Sequence, residues 1–113
     1  PVAEHLQSLL GDKHPVLYVQ SVCGDGAAAA AEALEAGEVL LLENLRFEAG
    51  ETANDPQLAA KLAAMADVFV QDAFGTCHRA HASTAGVPAL LKPALPGMLL
   101  KKEIDAFTYY RCF

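Results

Sequence analysis

Apolar positions along this chain alternate between helical spacing and short continuous runs, and the alternation predicts an ordered series of elements. Val2, Leu6, Leu9 and Leu10 share one helical face, with Gly11 as a stop. Residues 16–22 are dense in β-branched and aromatic types and read as a buried strand. Gly24-Asp25-Gly26 reads as a turn, and the alanine-rich run to Leu34 as a helix closed by Gly37. Residues 39–42 form a second apolar run, followed by a polar loop over 47–53. Asp55-Pro56 pairs an N-cap acceptor with a proline suited to the first helical turn, and Leu58, Leu62 and Met65 mark that helix's buried face. Residues 68–70 read as a third strand and 75–83 as a loop, with a short helix over 84–91. Pro93, Pro96 and Gly97 break the chain before a last helix over 98–107.

Strands that alternate with helices imply right-handed crossovers and a parallel sheet with helices on both faces. In such open α/β sheets, ligands bind just outside the carboxyl ends of the strands. Two apolar runs here are each followed by a polar segment carrying one arginine. The first is Glu43-Asn44-Leu45-Arg46-Phe47; the second runs from Asp72 through His78 and Arg79 to His81. The chain has only three arginines, so two at strand ends are informative. Paired guanidinium hydrogen bonds suit a phosphate or carboxylate, and His78 and His81 can add donors. Arg46 has a plainer alternative, a surface pair with Glu43 or Glu48, and Arg79 has one as a loop residue capping a helix. Asn44 and Asp72 read as structural, holding their loops through side-chain to backbone bonds.

LLLENLRF and DAFGTCHRAHAST resemble two signature stretches of the phosphoglycerate kinase family, and the intervening NDPQLAAKLAAMADVFVQ and the later AGVPALL fit as well. The resemblance runs over about residues 1–106 in one register. It implies part of that family's N-terminal, phosphoglycerate-binding domain, a Rossmann-like three-layer α/β fold. Residues 107–113 form an unmatched tail. The resemblance further implies that Arg46, Arg79, His78 and His81 contact the substrate. The family's reaction is reversible phosphoryl transfer between 1,3-bisphosphoglycerate and ADP, giving 3-phosphoglycerate and ATP in glycolysis. MgATP or MgADP belongs to the family's other domain, so no cofactor is expected on these residues. The family's DFNVP-like strand and HxGRP-like segment are absent. Because that strand lies mid-sheet in the family, a gap is expected between the strands present here.

Composition narrows the alternatives. At 113 residues the chain makes one domain at most, and the start at Pro1 suggests further sequence upstream. A net charge of −6 argues against nucleic acid, whose phosphates call for clustered cations. No apolar run is long enough to span a membrane, and no signal peptide opens the chain. Cys23, Cys77 and Cys112 form an odd set without CxxC spacing and read as reduced thiols in a cytoplasmic protein.

Other chemistries find little support. Cys77 and His78 are sequence neighbours with no third orienting residue, so they do not read as a nucleophile and its base. The histidines and cysteines lack zinc spacing. Gly24-x-Gly26 lacks the third glycine of a dinucleotide fingerprint, and no GxxxxGK[ST] loop occurs. Two readings therefore stand. One is a kinase by resemblance, with this stretch alone inactive for want of a nucleotide site. The other is a non-catalytic α/β module that binds an anionic metabolite or only self-associates through exposed sheet edges.

Overall fold

The computed structural model describes residues 1–111, with side chains through residue 109. The chain divides into two units, Pro1–Ala49 and Gly50–Phe113. Both are α/β, and both are built on a pair of parallel strands.

In the first unit, helix α1 (Val2–Leu10) stops at Gly11, whose φ of 70° lies in the left-handed region that glycine tolerates. Strand β1 (Val16–Val19) pairs in parallel with β2 (Val39–Leu42), Val16 opposite Val39 and Val19 opposite Leu42. The crossover between them is helix α2 (Asp25–Glu32), where Ala27 is fully buried. Alanines let this helix lie close to the sheet. Gly37, at φ 94°, lets the chain turn back into β2, and its carbonyl bonds to His14 Nδ1 at 2.9 Å. Strand β1 is shorter than the 16–22 expected, and it is not buried: Leu17 and Tyr18 are 44% and 49% exposed. Both α1 and α2 reach this strand, but with a single neighbouring strand its central residues stay open.

In the second unit, helix α3 (Ala49–Thr52) is a single turn inside the stretch expected to be loop. Helix α4 (Pro56–Ala63) follows. Asp55 Oδ1 accepts from the N–H groups of Gln57 at 2.6 Å and Leu58 at 3.1 Å, the cap the sequence predicts. Strand β3 (Phe69–Gln71) pairs in parallel with β4 (Ala94–Pro96). Strand β4 falls where the prolines predict only a break. Proline is tolerated there because β4 is an edge, and its outer side makes no ladder bonds. Between them, a single π-turn (Ala82–Gly86) leads into helix α5 (Val87–Leu90). The core of this unit is Leu58, Ala59, Ala82 and Val87, where α4 meets the π-turn and α5. Helix α6 (Met98–Arg111) runs on through most of the 107–113 tail; Cys112 and Phe113 lie outside the described residues. Phe107 of α6 meets Phe74 with ring centroids 6.3 Å apart.

The strands thus form two separate two-stranded parallel sheets, β1–β2 and β3–β4.

Candidate functional site

Each arginine singled out by the sequence follows a strand end, and each is exposed. Arg46 sits in a 3-10 turn (Leu45–Phe47) directly after β2. Asn44 starts this turn, its Oδ1 accepting from the Arg46 N–H at 3.0 Å. The plainer alternative, a pairing of Arg46 with Glu43 or Glu48, does not form among the described residues. The Glu43 carboxylate is taken instead by the Tyr18 hydroxyl at 2.6 Å and the Asn44 N–H at 2.7 Å. The Tyr18 hydroxyl bond, then the Asn44 N–H, hold the Glu43 carboxyl below its usual range, opposed by partial desolvation. The same bond raises Tyr18, with desolvation and the Glu43 charge adding to it.

This carboxylate sits at the edge of a cavity of about 490 Å³ in the first unit. Leu41, Leu42 and Phe47 supply apolar walls beside Tyr18 and Asn44.

In the second unit, a 3-10 turn (Phe74–Thr76) follows β3 and leads into the basic loop. Arg79 and His78 are exposed, and Arg79 Nε donates to His78 Nε2 at 3.1 Å. This bond requires a lone pair on His78 Nε2, so His78 orients the guanidinium here and does not itself donate from that nitrogen. The terminal guanidinium N–H groups have no partner among the described residues, and they form the planar fork that grips carboxylate or phosphate. The Arg79 backbone is fixed on both sides. Its N–H donates to the Thr76 carbonyl at 3.0 Å, and its carbonyl accepts from the Thr84 hydroxyl at 2.7 Å.

His81 stands apart from its neighbours. It is only 6% exposed, and its Nδ1 lies 3.9 Å from Glu51 Oε1 without a hydrogen-bond partner. Glu51 itself is 2% exposed and bonds both donors of Ser83. Sequence spacing gave no sign of this buried carboxylate, because its partner lies 32 residues away.

Asp72, read as structural, caps α6: its Oδ1 accepts from the N–H groups of Leu99 at 2.7 Å and Leu100 at 3.0 Å. Among the described residues no group of three His, Cys, Asp or Glu side chains is arranged to hold a metal ion. No described helix is long and apolar enough to cross a membrane.

The family model described as phosphoglycerate kinase matches residues 1–111. A phosphoglycerate kinase of Herpetosiphon aurantiacus is 55% identical over 106 residues, covering 94% of this chain and 26% of that protein. One of Synechococcus sp. (strain JA-3-3Ab) is 55% identical over 105 residues, 93% of this chain and 25% of the relative. Among solved structures, phosphoglycerate kinase from Coxiella burnetii matches with a TM-score of 0.76 at 42% identity, covering 96% of this chain and 25% of that one. The chain thus spans about a quarter of the length of the curated relatives it matches.

Proposed function

The chain belongs to the phosphoglycerate kinase family, and from that membership we propose that it supplies part of a 3-phosphoglycerate site. In this reading Arg46 of the first unit and Arg79 of the second each offer a guanidinium to 3-phosphoglycerate or 1,3-bisphosphoglycerate, and His78 aims the Arg79 fork. His81 belongs to the same basic patch in this reading, its ring buried beside Glu51. The observation that carries the reading is the exposed Arg79 fork, oriented through Nε while its terminal N–H groups stay uncommitted.

The reaction served is reversible phosphoryl transfer between 1,3-bisphosphoglycerate and ADP, giving 3-phosphoglycerate and ATP. Such transfer depends on positioning and charge neutralisation more than on covalent work by the protein. Arginines that fix the acceptor therefore contribute to rate as well as to affinity. A bound magnesium nucleotide would be the phosphoryl donor as MgATP and the acceptor as MgADP. The part proposed for these residues is to hold and orient the phosphoglycerate, as acceptor in one direction and donor in the other.

The test is a titration of 3-phosphoglycerate into the full chain followed by NMR. Saturable shifts that weaken in Arg46→Ala and in Arg79→Ala are expected. A folded chain without saturable shifts, or variants that bind as tightly as the parent, would overturn the assignment.

A second reading, a non-catalytic module that self-associates, draws on one observation. Strands β1 and β3 expose Leu17, Tyr18 and Val70 on two-stranded sheets. Open edges of this kind invite strand pairing between copies. Sedimentation across a concentration series tests it, with a monomer at all concentrations as the contrary result.

A further inference from the structure

We propose that Glu51 is a positioning residue for the Arg79 anion grip, acting through Ser83 and Thr84; the inference rests on the phosphoglycerate reading above.

Glu51 is the largest fully buried side chain among the described residues. A carboxylate removed from water is costly unless its oxygens are hydrogen-bonded. Both of its oxygens go to one residue: the Ser83 N–H donates to Oε2 at 3.0 Å, and the Ser83 hydroxyl donates to Oε1 at 2.6 Å. Among the described residues no lysine or arginine pairs with it, and His81 Nδ1 lies 3.9 Å from its Oε1. Two hydrogen bonds to one residue make the pair a firm tether across 32 residues of sequence.

The tether ends where the Arg79 loop is anchored. Ser83 precedes Thr84, whose hydroxyl accepts from the His81 N–H at 3.0 Å and donates to the Arg79 carbonyl at 2.7 Å. The π-turn carrying both residues is seated on α4 so closely that a Cβ on Gly86 would stand 2.7 Å from the Ala59 Cβ. Packing thus fixes the turn from one side, and Glu51 fixes its opening residues from another.

Arg79 needs this support because its side chain is exposed and its one side-chain hydrogen bond among the described residues goes to His78. With so little packing around the side chain, the backbone at residue 79 decides where the fork points. Loosening that backbone makes anion binding order a loop that is now ordered in advance, and affinity falls by that cost.

A double-mutant cycle on the full chain tests the inference, with the Kd for 3-phosphoglycerate measured by NMR for the parent, Glu51→Gln, Arg79→Ala and the double variant. Glutamine keeps the shape but turns an NH₂ group toward a Ser83 donor. The expected result is a loss on the order of fivefold from Glu51→Gln in the parent and no further loss in the Arg79→Ala background. A merely structural role would weaken both backgrounds equally, and that result, or an unchanged Kd in Glu51→Gln alone, overturns the inference. Arg79→Ala binding as tightly as the parent would instead overturn the phosphoglycerate reading, and this inference with it. Should Glu51→Gln fail to fold, Ser83→Ala removes only the hydroxyl donor and goes through the same cycle with the same criteria.

Discussion

The side chain of Asp72 and the backbone of Gly97 share adjoining space at the carboxyl end of β3, so closely that a Cβ on residue 97 would collide with Asp72. The contact exists because Asp72 reaches under the start of α6 to accept from Leu99 and Leu100, N–H groups that a helix cannot satisfy internally. Gly97→Ala is expected to destabilise the chain by about 1–3 kcal/mol through overpacking. Asp72→Ala should cost about 1 kcal/mol as a lost cap. In combination the alanine at 97 should cost less than it does alone, because the group it strikes is gone. Urea denaturation of the three variants measures this, and strict additivity would show that the two residues do not meet in solution.

Asp55 holds the first turn of α4 through Gln57 and Leu58. Asp55→Ala should lower stability by about 1 kcal/mol, while Asp55→Asn, which keeps an acceptor oxygen, should lose much less. Thermal melts of both variants check the difference. Equal losses would mean that the charge, and not the hydrogen bond, is what matters.

Gly86 has an ordinary helical backbone, so only space restricts it. A Cβ there would stand 2.7 Å from the Ala59 Cβ and 2.9 Å from Asn54 Oδ1. Gly86→Ala should destabilise by about 1–3 kcal/mol despite alanine's better helix propensity. Denaturant unfolding with an unchanged or raised midpoint would rule out the close seat of the π-turn on α4.

The Tyr18–Glu43 bond predicts a pH signature in the first unit. The Glu43 carboxyl is depressed in the folded chain, first by the Tyr18 hydroxyl and then by the Asn44 N–H. Its contribution is therefore present above the unfolded-state pKa and is lost as pH falls through the depressed folded value. Tyr18 is raised, so its contribution is present below its usual pKa and lost as pH climbs through the raised one. Tyr18→Phe should return the Glu43 titration toward the ordinary carboxylate range, read from its side-chain carboxyl carbon by NMR. An unmoved titration would mean that the hydroxyl does not reach Glu43 in solution.

Much of the fold was legible in local pattern. The strand at 39–42, the cap at Asp55 and the helix start near Met98 fall where periodicity and capping chemistry place them. Strand β4 was not legible. Ala94–Pro96 has neither alternation nor an apolar run, and it becomes a strand only because the Phe69 N–H and the Gln71 carbonyl bond to the chain at Pro93 and Gly97. The exposure of Leu17 and Tyr18 was hidden for a related reason. An apolar run announces a strand, but how many neighbours cover it is not written in the run.

The sequence by itself determined the family, the α/β order and the two arginines after strand ends, because helical spacing, turn chemistry and motif are properties of neighbouring residues. Only the tertiary structure decided what surrounds those arginines. It left Arg46 free of Glu43 by giving that carboxylate to Tyr18, buried His81 beside Glu51, and tied Ser83 across 32 residues to the same buried carboxylate. Which distant groups end up adjacent is set by how the elements pack, and the buried Glu51–Ser83 pair adds the demand that polar atoms removed from water be hydrogen-bonded; no local pattern specifies either.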